Sequence, residues 1–92
     1  MDEKIPFHAD RARALETFAT VVAEGSFSAA GRLLGLTPSA VSRAVDRIED
    51  RLGVRLLLRS TRALTLTAEG QAYLASARRI LADLDEAEPV SY

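Results

Sequence analysis

Ninety-two residues suffice for one small domain, or one domain with an appended helix, and leave no room for the paired lobes that house most cofactor sites. The composition, 48% hydrophobic and 27% charged, is that of a globular protein. With no cysteine and one histidine, the chain has no disulfide framework, no thiolate nucleophile, no cysteine zinc site and no imidazole cluster for metal or acid/base chemistry. No apolar run approaches the roughly 18 residues that span a bilayer, and the start MDEKIPFHAD lacks a basic-then-apolar leader. A cytoplasmic location with no membrane partner, no catalytic residue, no metal and no cofactor is the expectation.

The net charge of −1 argues against a nucleic-acid partner until its distribution is read. Residues 1–31 hold three basic and five acidic side chains, residues 32–62 seven and three, and residues 63–92 two and five. The middle third is therefore a basic island between acidic flanks.

Residues 1–10, with Pro6 and His8, show no period and read as a mobile arm. From about Asp10, Leu15, Phe18 and Val22 recur at helical spacing with Ala14 and Val21 beside them, up to a stop at Gly25. Ser26 offers an N-cap for a second, shorter helix through Ala30 and Leu34, ended by Gly35. Thr37-Pro38 is a strong helix start, because threonine supplies the capping oxygen and proline gives up only an N–H that would have no partner. The third helix spans 38–52, with Val41, Val45, Ile48 and Leu52 on one arc as its core face and Gly53 as its stop. After Gly53 the period changes to two, from Val54 to Arg59 and from Ala63 to Thr67, which predicts a hairpin over 54–66 around the turn Ser60-Thr61-Arg62. Thr67 caps a last helix over 68–88, before Pro89, whose Gly70, Leu74, Ala77, Leu81 and Leu84 alternate at spacings of four and three.

The order helix, helix, helix, hairpin, long helix predicts a mainly α, winged helix-turn-helix over 11–67 followed by a linker helix over 68–88 and a tail at 89–92. In such a unit the third helix enters the DNA major groove, and polar residues are needed opposite its core stripe. Ser39, Arg43, Asp46 and Asp50 occupy that side, with Ser42 and Arg47 flanking it. Arg43 can fork onto guanine O6 and N7 or onto a phosphate, while Ser39 and Ser42 can donate at close range. A solvated helix face with an Arg43–Asp46 pair would explain the same pattern. Carboxylates deep in the groove would meet phosphates, so entry is N-terminus first, with Asp50 outside and Asp46 at the margin. Arg59, Ser60, Thr61 and Arg62 give the turn two guanidiniums and two hydroxyls for phosphates or the minor groove. The four-three seam of the last helix, Leu74, Ala77, Leu81 and Leu84, has two readings, folding back on the first helix or pairing with a second copy. Pairing is expected, because the helix is longer than the core needs, while Tyr73 and Ile80 dock it on its own domain.

These segments together resemble the N-terminal DNA-binding domain of the LysR-type transcriptional regulators over roughly residues 11–88. The resemblance is carried by Leu15-Glu16-Thr17-Phe18, by Gly25 to Ala30, by Leu34-Gly35-Leu36, and by Thr37 to Arg43. It continues in Ile48-Glu49, Leu52-Gly53, Leu56 to Arg62, and Leu66 to Gly70. It implies a regulator that binds double-stranded DNA, at an inverted repeat, as a homodimer through its linker helix. By position Pro38, Ser39, Ser42 and Arg43 match the family's recognition-helix contacts and Arg59 its wing contact, with Thr37, Thr61 and Arg62 as phosphate partners. Leu57 departs from the phenylalanine of many members, and the arm before residue 11 is longer than usual. Such regulators continue into a two-lobed domain that binds a small-molecule inducer and builds tetramers, so the chain is expected to be a fragment lacking that effector domain. The competing reading is a winged-helix protein-interaction module that dimerises through the linker helix without reading DNA.

Overall fold

A computed structural model describes residues 9–60 and 63–88. The elements are α1 Ala9–Glu24, α2 Phe27–Leu34, α3 Pro38–Leu52, β1 Leu57–Arg59, β2 Leu64–Leu66 and α4 Ala68–Ala87, the fold of a winged helix-turn-helix with a long last helix. Each helix after the first starts where a hydroxyl can take an otherwise unpaired backbone donor. Ser26 Oγ accepts from Ala29 N at 3.0 Å, Thr37 Oγ1 from Ala40 N at 3.1 Å and Thr67 Oγ1 from Gly70 N at 2.9 Å. The stops are equally local: the N–H of Gly35 closes onto Gly31 O, and that of Gly53 onto Glu49 O at 2.8 Å.

Phe18 and Val21 of α1, Ala30 of α2, Val41, Val45 and Ile48 of α3, and Leu56, Leu57 and Leu74 behind them form one buried core. The seven large side chains Phe18, Val21, Val41, Val45, Ile48, Leu56 and Leu57 are nearly or wholly without solvent contact, each contributing about 1.5–3 kcal/mol of burial relative to exposure. The rings of Phe18 and of Tyr73 in α4 meet edge to face, centroids 5.1 Å apart and planes at 78°, which fixes α4 against α1. Burial raises the Tyr73 pKa, opposed by the charge of Arg51 and by a hydrogen bond to it.

Two glycines are places where no side chain fits. A Cβ on Gly31 would stand 2.4 Å from Leu36 O, and one on Gly70 would stand 2.0 Å from Leu56 O. The first lets the helix-turn-helix corner close, and the second seats the start of α4 on the segment leading into β1.

Several expectations are corrected. The first helix begins at Ala9, so residues 9 and 10 belong to it; residues 1–8, with Pro6 and His8 of the expected arm, and the tail at 89–92 lie outside the described residues. The hairpin is shorter than 54–66, with three ladder pairs: Leu57 with Leu66, Leu58 with Thr65 and Arg59 with Leu64. Val54, Arg55 and Leu56 are not strand. Leu56 N donates to the Glu49 carboxylate at 2.8 Å and Leu56 O accepts from Thr67 N at 3.0 Å, so its backbone groups are satisfied outside the ladder. Leu52, placed in the core stripe by its wheel angle, is 44% exposed, because the last turn of α3 has run past the elements that cover the earlier ones.

The linker seam is corrected as well. Leu74 and Ala77 are buried within the chain, on the side of α4 that packs on α1. Only the later part of the seam stays open: Leu81 is half-buried and Leu84 is 45% exposed. Tyr73 docks on the domain as expected, but Ile80 does not, being 46% exposed.

Candidate nucleic-acid interface

The corner between α2 and α3 sets α3 so that Val41, Val45 and Ile48 face the core and the opposite side is left open. On that open side Pro38, Ser39, Arg43 and Asp50 are exposed, while Ser42 and Asp46 are partly covered. Thr37 is used as the N-cap, yet its hydroxyl proton is still free to donate, because the cap uses the oxygen only as an acceptor. Arg43 makes no side-chain hydrogen bond or ion pair among the described residues. The pair with Asp46 that a merely solvated face would favour does not form, because Asp46 is engaged elsewhere.

Its partner is Arg59 at the end of β1, which folds back over α3 instead of reaching out from the wing. Arg59 Nη2 donates to Asp46 Oδ1 at 2.8 Å and Nη1 to Ser42 Oγ at 3.2 Å. The guanidinium carbon lies 5.1 Å from the ring centre of Phe27 on α2, a cation–π distance. Glu49 Oε1 stands 3.7 Å from the same Nη2. Three expected contacts, Ser42, Asp46 and Arg59, thus form one cluster on the face shared by helix and hairpin.

Glu49 and Phe27 are the residues that sequence reasoning missed. Glu49 is 6% exposed, and its Oε2 accepts from both Leu56 N at 2.8 Å and Leu57 N at 3.2 Å, with Arg55 Nη1 3.5 Å from Oε1. A buried carboxylate is tolerated only when donors surround it, and here backbone and guanidinium donors do. Its signal was present in the sequence: four residues after Val45, it falls beside the core arc, where an acid needs an explanation.

The remaining expected residues separate. Arg47 turns to the other flank of α3, where with Asp10, Arg13 and Arg51 it lines a groove of about 500 Å³ between α1 and α3. Ser60 closes the hairpin turn, its Oγ accepting from Ala63 N at 3.1 Å and its own N–H donating to Ala63 O at 3.0 Å. Thr61 and Arg62 lie outside the described residues. Among the described residues no group of three or more His, Cys, Asp or Glu side chains is placed to hold a metal ion, and no helix is long and apolar enough to cross a membrane.

The geometry is matched by known proteins. Residues 12–71 fit the family described as bacterial regulatory helix-turn-helix protein, lysR family. The chain is 51% identical over 74 residues to the HTH-type transcriptional regulator CrgA of Neisseria meningitidis, covering 80% of this chain and 25% of that one. It is 40% identical over 83 residues to the HTH-type transcriptional activator AaeR of Escherichia coli, covering 90% of this chain and 27% of that one. The chain therefore spans about a quarter of the length of these relatives. Among solved structures it resembles a CbnR DNA-binding domain in complex with DNA, with a TM-score of 0.78 and 38% identity over 83% of this chain and 87% of that one. A BenM DNA-binding domain on benA site 1 DNA gives a TM-score of 0.78 and 33% identity over 82% of this chain and 84% of that one. Sequence and fold agree: the chain belongs to the LysR family of bacterial regulatory helix-turn-helix proteins.

Proposed function

We propose that this chain reads a specific double-stranded DNA sequence as a homodimer, α3 entering the major groove N-terminus first and the hairpin lying against the adjacent backbone or minor groove. The observation that carries the reading is Arg43. It is an exposed guanidinium with no partner among the described residues, one turn along α3 from Ser39 and opposite the buried Val41, Val45 and Ile48. An arginine so placed can fork onto guanine O6 and N7, the commonest base-specific contact. Ser39 and Ser42 donate to bases or phosphates, and Pro38 and Thr37 bring the positive end of α3 up to the strand. Asp50, three turns into the helix, stays outside the groove. Two neighbours of the same fold, the CbnR and BenM domains, are known in complex with DNA, which supports the same partner here.

The dimer forms through the open end of α4, where Leu81, Leu84 and Ile80 remain available once Leu74 and Ala77 are buried against the domain. Two heads then meet one face of the duplex, which calls for an inverted repeat. The chain works without a cofactor, in the cytoplasm, as the DNA-reading part of a transcription regulator. In longer members an effector domain would bind a small-molecule inducer and build tetramers.

The test is selection of duplexes from a random pool by this chain, repeated with Arg43→Ala. Enrichment of an inverted repeat that Arg43→Ala abolishes is the expected result. A single unrepeated half-site would remove the dimer, and no enrichment at low salt would leave the protein-interaction module as the better reading.

A further inference from the structure

Arg59 is gripped from three sides. Nη2 donates to Asp46 at 2.8 Å, Nη1 donates to Ser42 at 3.2 Å, and the guanidinium lies over Phe27; its side chain keeps 28% of its exposure. An acid on a DNA-reading face would ordinarily be read as a repellent of phosphates, whose removal tightens binding to every duplex. The geometry points to a different role. We propose that Asp46 is a positioning residue, acting on DNA through Arg59; the inference rests on the DNA reading given above.

An arginine at a hairpin end has a long flexible stem and, left free, follows the nearest phosphate. Held by Asp46 beside Ser42, its guanidinium occupies one place on the shared helix–hairpin face before any duplex arrives. Ordering that side chain in advance removes an entropic cost of binding only for a duplex whose acceptor lies where Arg59 already points. Asp46 therefore contributes discrimination between sequences, and not general affinity. Glu49, 3.7 Å from the same nitrogen and buried, keeps a negative charge under the guanidinium when DNA competes for its donors.

The test is a double-mutant cycle on the affinities for the duplex enriched by this chain and for a random-sequence duplex of equal length. Asp46→Ala is expected to narrow the ratio of the two affinities about tenfold, the scale of one specific contact, while binding to the random duplex holds or rises. In an Arg59→Ala background Asp46→Ala is expected to leave the ratio unchanged, and Asp46→Asn, which keeps an oxygen for Arg59, is expected to restore part of it. An equal gain on both duplexes would make Asp46 a repellent only and overturn the proposal. The same loss in the Arg59→Ala background would overturn it too, by showing that Asp46 touches DNA directly. If the wild-type chain binds no duplex, the DNA reading itself fails; if it binds and the cycle does not close as stated, only the role of Asp46 fails.

Discussion

Leu56 N lies 2.8 Å from a carboxylate oxygen of Glu49, seven residues earlier, and Leu57 N shares that oxygen at 3.2 Å. One buried side chain of α3 thus receives the backbone of the hairpin just before and at its first strand residue. The hairpin is short, three ladder pairs, too little to hold its own position over α3. Glu49 supplies the missing constraint, and the Arg59 cluster is assembled on top of it.

Glu49→Ala is expected to destabilise the chain by about 3 kcal/mol, because two buried N–H groups lose their acceptor. Glu49→Gln keeps one acceptor oxygen but turns an amide donor toward Arg55 and Arg59, and should recover part of that loss. Urea unfolding of the three proteins checks the order; equal midpoints for Glu49→Ala and wild type would show that the carboxylate is not a structural tie.

Gly70→Ala opposes two effects of known size. Alanine is favoured over glycine inside a helix by about 1 kcal/mol. Its Cβ, however, would sit 2.0 Å from the backbone oxygen of Leu56, a group with no flexible end to move. The clash wins, with a net loss of about 2 kcal/mol expected from the cost of overpacking. A thermal melt decides it: a raised midpoint would mean that α4 can shift freely on the domain.

The raised pKa of Tyr73 ties stability to alkaline pH. Its folded-state value lies above the ordinary 10.0 because burial disfavours the phenolate, so the folded chain holds its proton more tightly than the unfolded one. The contribution is complete below pH 10 and is lost as the pH rises through the folded-state pKa. Denaturation midpoints between pH 9 and pH 11.5 should therefore fall more for the wild type than for Tyr73→Phe, and parallel curves would remove Tyr73 as the cause.

The two halves of α4 should respond differently to truncation. Leu74→Ala opens a cavity in the buried cluster and is expected to cost about 3 kcal/mol of folding stability. Leu84→Ser, at an exposed position, should leave the melting curve of the monomer nearly unchanged and weaken self-association measured by sedimentation. Loss of folding by Leu84→Ser, with no change in association, would place the pairing surface elsewhere.

The local punctuation of this protein is written in its sequence. Ser26, Thr37 and Thr67 cap helices, Gly35 and Gly53 stop them, and Val41, Val45 and Ile48 mark the buried face of α3, because caps, stops and periodicity act over three or four residues. The ordered fragments likewise carried the resemblance to the LysR family. Tertiary structure decided what lies between elements. It buried half of the α4 seam against α1, exposed Leu52 past the end of the core, and shortened the hairpin by giving the backbone of Leu56 to Glu49 and Thr67. It also turned Arg59 from an outstretched wing contact into a cation held by Ser42, Asp46 and Phe27, from sites thirteen to thirty-two residues away. A helical wheel fixes the angle of a side chain around its own axis; which other element fills that angle is set by how the helices and hairpin pack.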